Sequence, residues 1–232
     1  ILCGGKGTRM WPSTAEIPKP LMEIGGKPLL WHLLKRYSHF GYHRFILCVG
    51  HLAEQIIAYF INPEHKEEHW TIEYVFTGTE ATKSQRLSAV QKHIASDYFL
   101  VSYGADLSAV DIRQLVDFHL ATQKIATLTS VPLYSNFGVI EINDQHEVHS
   151  FREKPRIEPY WINGGFFVFN CTIFDYLSKG ELEKEVFESL AAEKQLAAYR
   201  FDGFFMGMDT AKDHQEFNQL FDSGKAPWVC WE

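Results

Sequence analysis

The sequence has no long apolar run, no closely spaced pair of cysteines and no excess of positive charge. No apolar run approaches the roughly 20 residues that a helix needs to cross a bilayer. The formal net charge is −7 over 232 residues, whereas a general nucleic-acid binder carries a basic surface. We therefore expect neither a membrane nor a nucleic acid among the partners of this protein.

Cysteine is scarce and scattered. The four cysteines are Cys3, Cys48, Cys171 and Cys230, and they form no C-x-x-C motif. This spacing disfavours a structural zinc site. Free thiols are typical of reduced compartments, so we expect a cytoplasmic protein.

Strand-like and helix-like patterns alternate through the first half of the chain. The apolar runs at 45–50 and 99–104 end in glycine and are typical of strands buried on both faces of a parallel sheet. Further strands are predicted over residues 71–76, 126–131, 164–170 and 196–199, and a hairpin over 138–153. Helices are predicted over residues 29–39, 51–60, 85–94, 111–122, 185–193 and 209–223. We expect one α/β domain over residues 1–232, a Rossmann-like three-layer sandwich with a mostly parallel mixed sheet. Its halves would span about 1–125 and 126–232.

A glycine-rich turn follows the first apolar residues. The segment reads Leu2-Cys3-Gly4-Gly5-Lys6-Gly7-Thr8-Arg9. Glycines allow close approach of backbone to a ligand, and successive N–H groups in such a turn can converge on an anion. Pro18-Lys19-Pro20 fixes a second cation further on. The turn predicts a loop that wraps a polyphosphate, and the alternative is an ordinary strand-to-helix turn with a surface arginine. Its spacing is neither the dinucleotide fingerprint nor a P-loop.

Several motifs together resemble the sugar-1-phosphate nucleotidyltransferases. They are the glycine-rich turn, Pro18-Lys19-Pro20, Glu153-Lys154-Pro155, Asn163-Gly164-Gly165-Phe166-Phe167 and Met208-Asp209-Thr210. The chain is most similar to the glucose-1-phosphate cytidylyltransferase branch, through residues 23–28, Tyr103-Gly104 and the ending 224–228 with Trp231-Glu232. The resemblance covers nearly the whole chain. It implies a glycosyltransferase-A-like fold and an enzyme that transfers a nucleotidyl group from CTP to a sugar 1-phosphate, with Mg²⁺ as cofactor.

The resemblance also implies roles for residues of this chain. Arg9 and Lys19 would be catalytic. The nucleotide would contact Leu2, Cys3, Gly4, Gly5, Lys6, Gly7, Thr8, Thr77, Arg86 and Gly104. The sugar phosphate would contact Glu153, Lys154, Asn163 and Gly164, and Asp209 and Asp106 would bind the metal.

Each of these roles has a simpler alternative. Lys19 would then be a surface lysine, and Arg86 a charge on a helix surface. Glu153 and Lys154 would form an exposed ion pair at the end of a strand. Asp209 would cap the N-terminus of a helix.

Two departures from the family pattern leave questions open. Glycines expected before Arg86 are replaced by Lys83-Ser84-Gln85, which weakens the implied recognition of the base. An aspartate expected after Tyr103-Gly104 is replaced by Ala105, with Asp106 one residue later. Three explanations compete: a deliberate inactivating substitution, a shift of the ligand to Asp106, and a homologue that binds nucleotide without turnover.

The acceptor and the oligomeric state also stay open. Another phosphorylated or phosphonate alcohol would be an alternative acceptor to glucose 1-phosphate. The aromatic ending with Trp228 and Trp231 is apolar enough to cover a neighbouring subunit in a homo-oligomer, or to pack against its own chain.

Overall fold

The computed structural model describes residues 1–65, 67 and 69–231. The α-helices are α1 (Leu29–His39), α2 (Ala53–Ile61), α3 (Lys83–Ala89), α4 (Ile112–Thr122), α5 (Phe187–Ala192) and α6 (Ala211–Asp222). The strands of the first half are β1 (Glu23–Ile24), β2 (Lys27–Pro28), β3 (Arg44–Val49), β4 (Thr71–Phe76), β5 (Tyr98–Ser102) and β6 (Asp106–Ser108). Those of the second half are β7 (Ala126–Tyr134), β8 (Val139–Ile142), β9 (Val148–Arg152), β10 (Arg156–Asn170), β11 (Leu196–Arg200) and β12 (Phe205–Gly207). Short 3₁₀ helices and a π-helical turn, Leu182–Val186, complete the described structure.

The central sheet is mixed. One part has the order β11-β7-β10-β5, and another pairs β3 with β4. Leu2 joins the two parts through parallel bridges to Cys48 of β3 and to Tyr103, directly after β5. Only β10 runs against its neighbours β5 and β7 among these described pairs, and the others are parallel. The mostly parallel mixed sheet of the sequence prediction is confirmed.

Helices cover both faces of this sheet. In β10, Phe166 and Val168 belong to the core beneath α1 and α4, while Phe167 and Phe169 belong to the core beneath α3 and α5. Successive side chains of a strand point to opposite faces, so a strand buried on both sides needs an unbroken apolar run. The sheet is therefore the middle layer of a three-layer sandwich, with one apolar core between it and the helices on each face.

The boundaries match the sequence patterns best where one element buries a complete apolar face. The helix predicted over 29–39 is α1, whose buried positions include Leu30, Leu33, Leu34 and Tyr37. The helix predicted over 85–94 is wrong at its end, because α3 stops at Ala89 and a 3₁₀ turn follows. The strand predicted over 164–170 is the last part of the longer β10. Strands β6 and β12, which pair with each other, were not predicted.

The aromatic ending packs against its own chain. Trp228 is fully buried beside Phe217 of α6, and its carbonyl accepts a hydrogen bond from the Arg36 guanidinium of α1 at 3.1 Å. Trp231 contacts Trp31 edge-on. Of the two arrangements left open for this tail, packing on its own chain is the one observed. Across the described residues, no helix combines the length and the apolar character needed to cross a membrane.

Candidate active site

A cleft of about 900 Å³ opens at the carboxyl edge of the sheet. Ligands of open α/β sheets bind at this edge. Twelve residues of the predicted site line it: Leu2, Cys3, Gly4, Gly5, Gly7, Arg9, Lys19, Arg86, Gly104, Asp106, Asn163 and Asp209. Six others, Lys6, Thr8, Thr77, Glu153, Lys154 and Gly164, lie outside the lining. The fold thus brings most of the predicted residues into one cavity.

The glycine-rich turn is held by close backbone contacts. Gly7 has a φ of 65° and precedes the 3₁₀ helix Thr8–Met10, a left-handed conformation that glycine adopts at little cost. The Thr14 hydroxyl donates to the Gly7 carbonyl at 2.9 Å. Lys6 points away to an exposed ion pair with Glu80. The turn is therefore preformed, with its glycines facing the cleft.

Arg86 ties this turn to a neighbouring loop. Its guanidinium donates to the Gly4 carbonyl at 3.0 Å, the Thr77 hydroxyl at 2.6 Å and the Gly78 carbonyl at 2.8 Å. The residue is only 4% exposed, so the alternative of a charge on the helix surface is wrong. A Cβ on Gly4 would lie 2.2 Å from a guanidinium nitrogen. Because glycine alone fits there, Arg86 and Gly4 form one structural unit.

Arg9 and Lys19 both contact Asp209. The Lys19 ammonium lies 2.7 Å from one carboxylate oxygen, and the Arg9 guanidinium donates to the other. The Lys19 side chain is 12% exposed, so the alternative of a surface lysine is wrong. Asp209 does not cap α6, because Thr210 is the capping residue and Asp213 completes its capping box. The three charges thus form one ion-pair cluster in the lining of the cleft, and the Asp209 side chain is not used to cap a helix.

The carboxylate of Asp106 also reaches the cleft. The chain turns at Gly104 and Ala105, and Asp106 then pairs with Gly207 across β6 and β12. Its two oxygens lie 2.8 and 2.9 Å from where a Cβ would stand on Gly165 and Gly207, so these glycines form its slot. Burial raises the pKa of Asp106 to about 7, with the Lys19 charge opposing and the Asp209 charge adding to the rise.

The donor set suits a hard divalent cation. Asp106 and Asp209 supply carboxylate oxygens on one wall of the cleft, and Mg²⁺ prefers oxygen ligands, commonly one or two carboxylates with substrate phosphates. Within residues 1–65, 67 and 69–231, no group of three or more His, Cys, Asp or Glu side chains could hold a metal. A metal here would therefore share its coordination with a substrate.

The wall predicted to bind the sugar phosphate is only partly in place. Asn163 lines the cleft, and its side-chain oxygen Oδ1 accepts a hydrogen bond from the backbone amide of Gly165 at 2.9 Å. Glu153 and Lys154 are exposed and lie outside the lining. Neither makes an ion pair with any residue that the structure describes, so the ion-pair alternative is not seen there either.

Sequence reasoning gave no role to several polar residues of this region, among them Lys83, Tyr103 and Glu183. Lys83 and Tyr103 line the cleft, and Glu183 contacts both of them. Lys83 stands where the family pattern has glycines, and that substitution was the one available signal. No motif marks Glu183, which lies in the π-helical turn before α5.

Comparison with known proteins gives a consistent result. Residues 1–218 match the family described as Nucleotidyl transferase. The chain is 38% identical to glucose-1-phosphate cytidylyltransferase of Salmonella typhimurium and 36% identical to a probable glucose-1-phosphate cytidylyltransferase of Bacillus subtilis. Both similarities cover 100% of this chain and 98% of the relative.

Solved structures agree on the fold. The structure of apo-UDP-glucose pyrophosphorylase superposes with a TM-score of 0.74 at 19% identity, covering 97% of this chain and 98% of that chain. At this identity the similarity concerns the architecture, and it confirms the Rossmann-like α/β fold.

Proposed function

This chain belongs to the nucleotidyl transferase family, and we propose that it transfers the cytidylyl group of CTP to glucose 1-phosphate, forming CDP-glucose and pyrophosphate. The observation that carries the proposal is the meeting of a preformed glycine-rich turn, two cations and two carboxylates in one cleft. The relatives named as glucose-1-phosphate cytidylyltransferases over the full chain support the choice of CTP and of glucose 1-phosphate.

The reaction forms one bond and breaks one bond at phosphorus. A phosphate oxygen of the sugar attacks the α-phosphorus of CTP, and the bond from that phosphorus to the β-phosphate oxygen breaks, so that pyrophosphate leaves. No protein nucleophile is needed, and catalysis rests on positioning and on stabilising charge over the phosphoryl oxygens. This requirement matches a site that consists of amides and fixed charges.

The proposed roles follow from the side chains available. Backbone amides from Gly4 to Thr8 bind the triphosphate, and Arg9 offers it a planar pair of donors. Lys19, fixed between two prolines and mostly buried, neutralises charge near the α-phosphate. Arg86 acts indirectly, since its donors are already engaged with Gly4, Thr77 and Gly78.

Asp106 and Asp209 are the proposed ligands of Mg²⁺. The bound cation would supply neutralisation of phosphate charge and alignment of the reacting groups. Arg9 and Lys19 hold Asp209 in place, and they become available to phosphate oxygens once Asp209 has another partner. Asn163 is the proposed sugar contact within the cleft, while Gly164, Glu153 and Lys154 would have to approach from outside its present lining. We place the reaction in the cytoplasm, where the four cysteines, all free in this structure, would stay reduced.

The direct test is release of pyrophosphate from CTP and glucose 1-phosphate in the presence of Mg²⁺. We expect turnover that EDTA abolishes and that UTP, GTP or ATP supports poorly. The variant Lys19→Met tests the proposed role of Lys19 in the same assay. Lys225→Met, which changes a lysine on the exposed surface, is its matched control. Absence of turnover with every nucleotide and with several sugar 1-phosphates would refute the proposed function.

A second candidate is a nucleotide-binding protein without turnover, and Ala105 is the observation that favours it. Ala105 lines the cleft where the family pattern has a carboxylate. This candidate predicts CTP binding by calorimetry with no pyrophosphate release, and turnover that appears in Ala105→Asp. Turnover by the unaltered chain decides against it.

A further inference from the structure

A chain of hydrogen bonds connects Glu183, which lies outside the lining of the cleft, with Asn163, the lining residue proposed to contact the sugar. The Tyr103 hydroxyl donates to the Glu183 carboxylate. The Asn163 amide nitrogen donates to the Tyr103 oxygen at 3.2 Å, and the Asn163 carbonyl accepts from the Gly165 amide at 2.9 Å. Three segments far apart in sequence are thereby connected.

Glu183 fixes the direction of the bonds at the Tyr103 end of this chain, and the backbone amide of Gly165, which can only donate, fixes the other end. A carboxylate can only accept, so the tyrosine must donate to it and must use its oxygen to accept from Asn163. The amide group of Asn163 is then fixed, with its nitrogen toward Tyr103 and its oxygen toward Gly165. Burial and the Glu183 carboxylate both raise the pKa of Tyr103, which keeps its proton in place.

Glu183 also forms an ion pair with Lys83. The Lys83 ammonium pairs with the same carboxylate oxygen that Tyr103 contacts, and it lies 4.7 Å from the centre of the Tyr103 ring. Lys83 begins α3, next to the loop that Arg86 anchors. The carboxylate therefore bonds to two residues that line the cleft, Tyr103 and Lys83.

We propose that Glu183, which lies outside the lining of the cleft, is a positioning residue for the acceptor: through the Tyr103 hydroxyl it orients the Asn163 amide toward the sugar. The proposal rests on the proposed function for the identity of the acceptor. Glu183 lies outside the cleft lining, so its removal should change the orientation of Asn163 and release Lys83 from its ion pair, while Arg9 and Lys19 keep their contacts with Asp209.

The kinetic test compares Glu183→Ala, Glu183→Gln and Tyr103→Phe with wild type. Loss of one hydrogen bond to a charged group is expected to raise the KM for glucose 1-phosphate roughly tenfold. In Tyr103→Phe, which keeps the ion pair between Lys83 and Glu183, the KM for CTP should stay near the wild-type value. Glu183→Gln keeps an acceptor for the Tyr103 hydroxyl, so its KM for glucose 1-phosphate should stay closer to the wild-type value than that of Glu183→Ala. The double variant Glu183→Ala/Tyr103→Phe should be no worse than the poorer single variant, because both changes break one chain.

A second measurement does not depend on turnover. The side-chain amide resonances of Asn163, assigned by their loss in Asn163→Ser, should move in Glu183→Ala and Tyr103→Phe. They should stay in place in Glu188→Ala, a change on the exposed face of α5 nearby. Glucose 1-phosphate should perturb them in wild type and bind roughly tenfold more weakly to Glu183→Ala.

The outcomes separate the two proposals. Wild-type turnover combined with an unchanged KM in Glu183→Ala would overturn the positioning role alone. Absence of turnover in wild type would overturn the proposed function, and the Asn163 resonances would then decide the inference. The inference is wrong if the Asn163 resonances are the same in Glu183→Ala and in wild type. It is also wrong if glucose 1-phosphate does not shift them in wild type.

Discussion

Replacing Asp106 by asparagine should stabilise the folded protein at alkaline pH while removing its activity. The carboxylate sits in a slot between Gly165 and Gly207 at the edge of the cleft, partly desolvated and close enough to Asp209 for the two charges to repel. Asparagine has nearly the same shape and no charge. The variant therefore removes the cost of ionising a buried acid without opening a cavity.

The size of the effect follows from the shift in pKa. The pKa of Asp106 rises from 3.8 to about 7, and one unit corresponds to about 1.4 kcal/mol. Between pH 4 and pH 7 the folded protein keeps a proton that the unfolded chain has released, so wild-type stability falls as pH rises through this window. Above pH 8 the variant should gain about 2–4 kcal/mol in the free energy of unfolding, and at pH 4.5 at most about 1 kcal/mol.

Urea unfolding at pH 4.5 and pH 8.5 in metal-free buffer measures this difference. Asp144→Asn is the matched control, because Asp144 is exposed in the loop between β8 and β9, and it should shift stability at neither pH. A gain of equal size at both pH values, or none at pH 8.5, would show that Asp106 is not desolvated as described. Pyrophosphate release should be lost in the same variant if Asp106 binds the metal.

Three further predictions concern the surroundings of Asp106. Lys19→Met should lower kcat by roughly 10²–10³ in the pyrophosphate assay, and a rate within twofold of wild type would exclude a catalytic role. Arg86→Lys keeps the charge but loses most of the contacts to Gly4 and Thr77, so urea unfolding should show a loss of about 3 kcal/mol and calorimetry a weaker affinity for CTP; unchanged CTP affinity would contradict its role in holding the turn. Gly165→Ala should destabilise the protein more than Gly26→Ala, because both glycines have φ above 70° but only at Gly165 would a Cβ meet Asp106 and the Tyr103 ring; equal losses would mean that the slot is loose.

The elements predicted well from sequence are those whose signal is local. The apolar spacing of α1 is complete within residues 29–39, and the capping aspartate of α4, Asp111, binds the amides of Arg113 and Gln114 just after it. The glycine-rich turn and Lys19 were singled out for the same reason, since their residue types and spacing are local patterns, and their role in phosphate binding stays a prediction. Each of these signals spans few residues.

What escaped prediction depends on partners distant in sequence. Arg86 looked ambiguous because its acceptor Gly4 is 82 residues away. The direction of the Asp106 side chain is set by the pairing of β6 with β12, which are remote in the chain. Glu183 carries no motif, and its contact with Lys83 spans 100 residues. Such contacts follow from the topology and leave no periodic pattern.

The bonds made by Arg86 have a mechanical consequence. A single guanidinium connects the turn at Gly4 with the loop at Thr77 and Gly78 and with its own helix, so a shift of one segment should break hydrogen bonds unless the others move with it. Adaptation to substrates of different shape is then expected elsewhere in the lining, where Asn136 and Asn163 lie. If the turn binds the nucleotide as proposed, the nucleotide meets a preformed surface, and a change of acceptor can evolve without disturbing it.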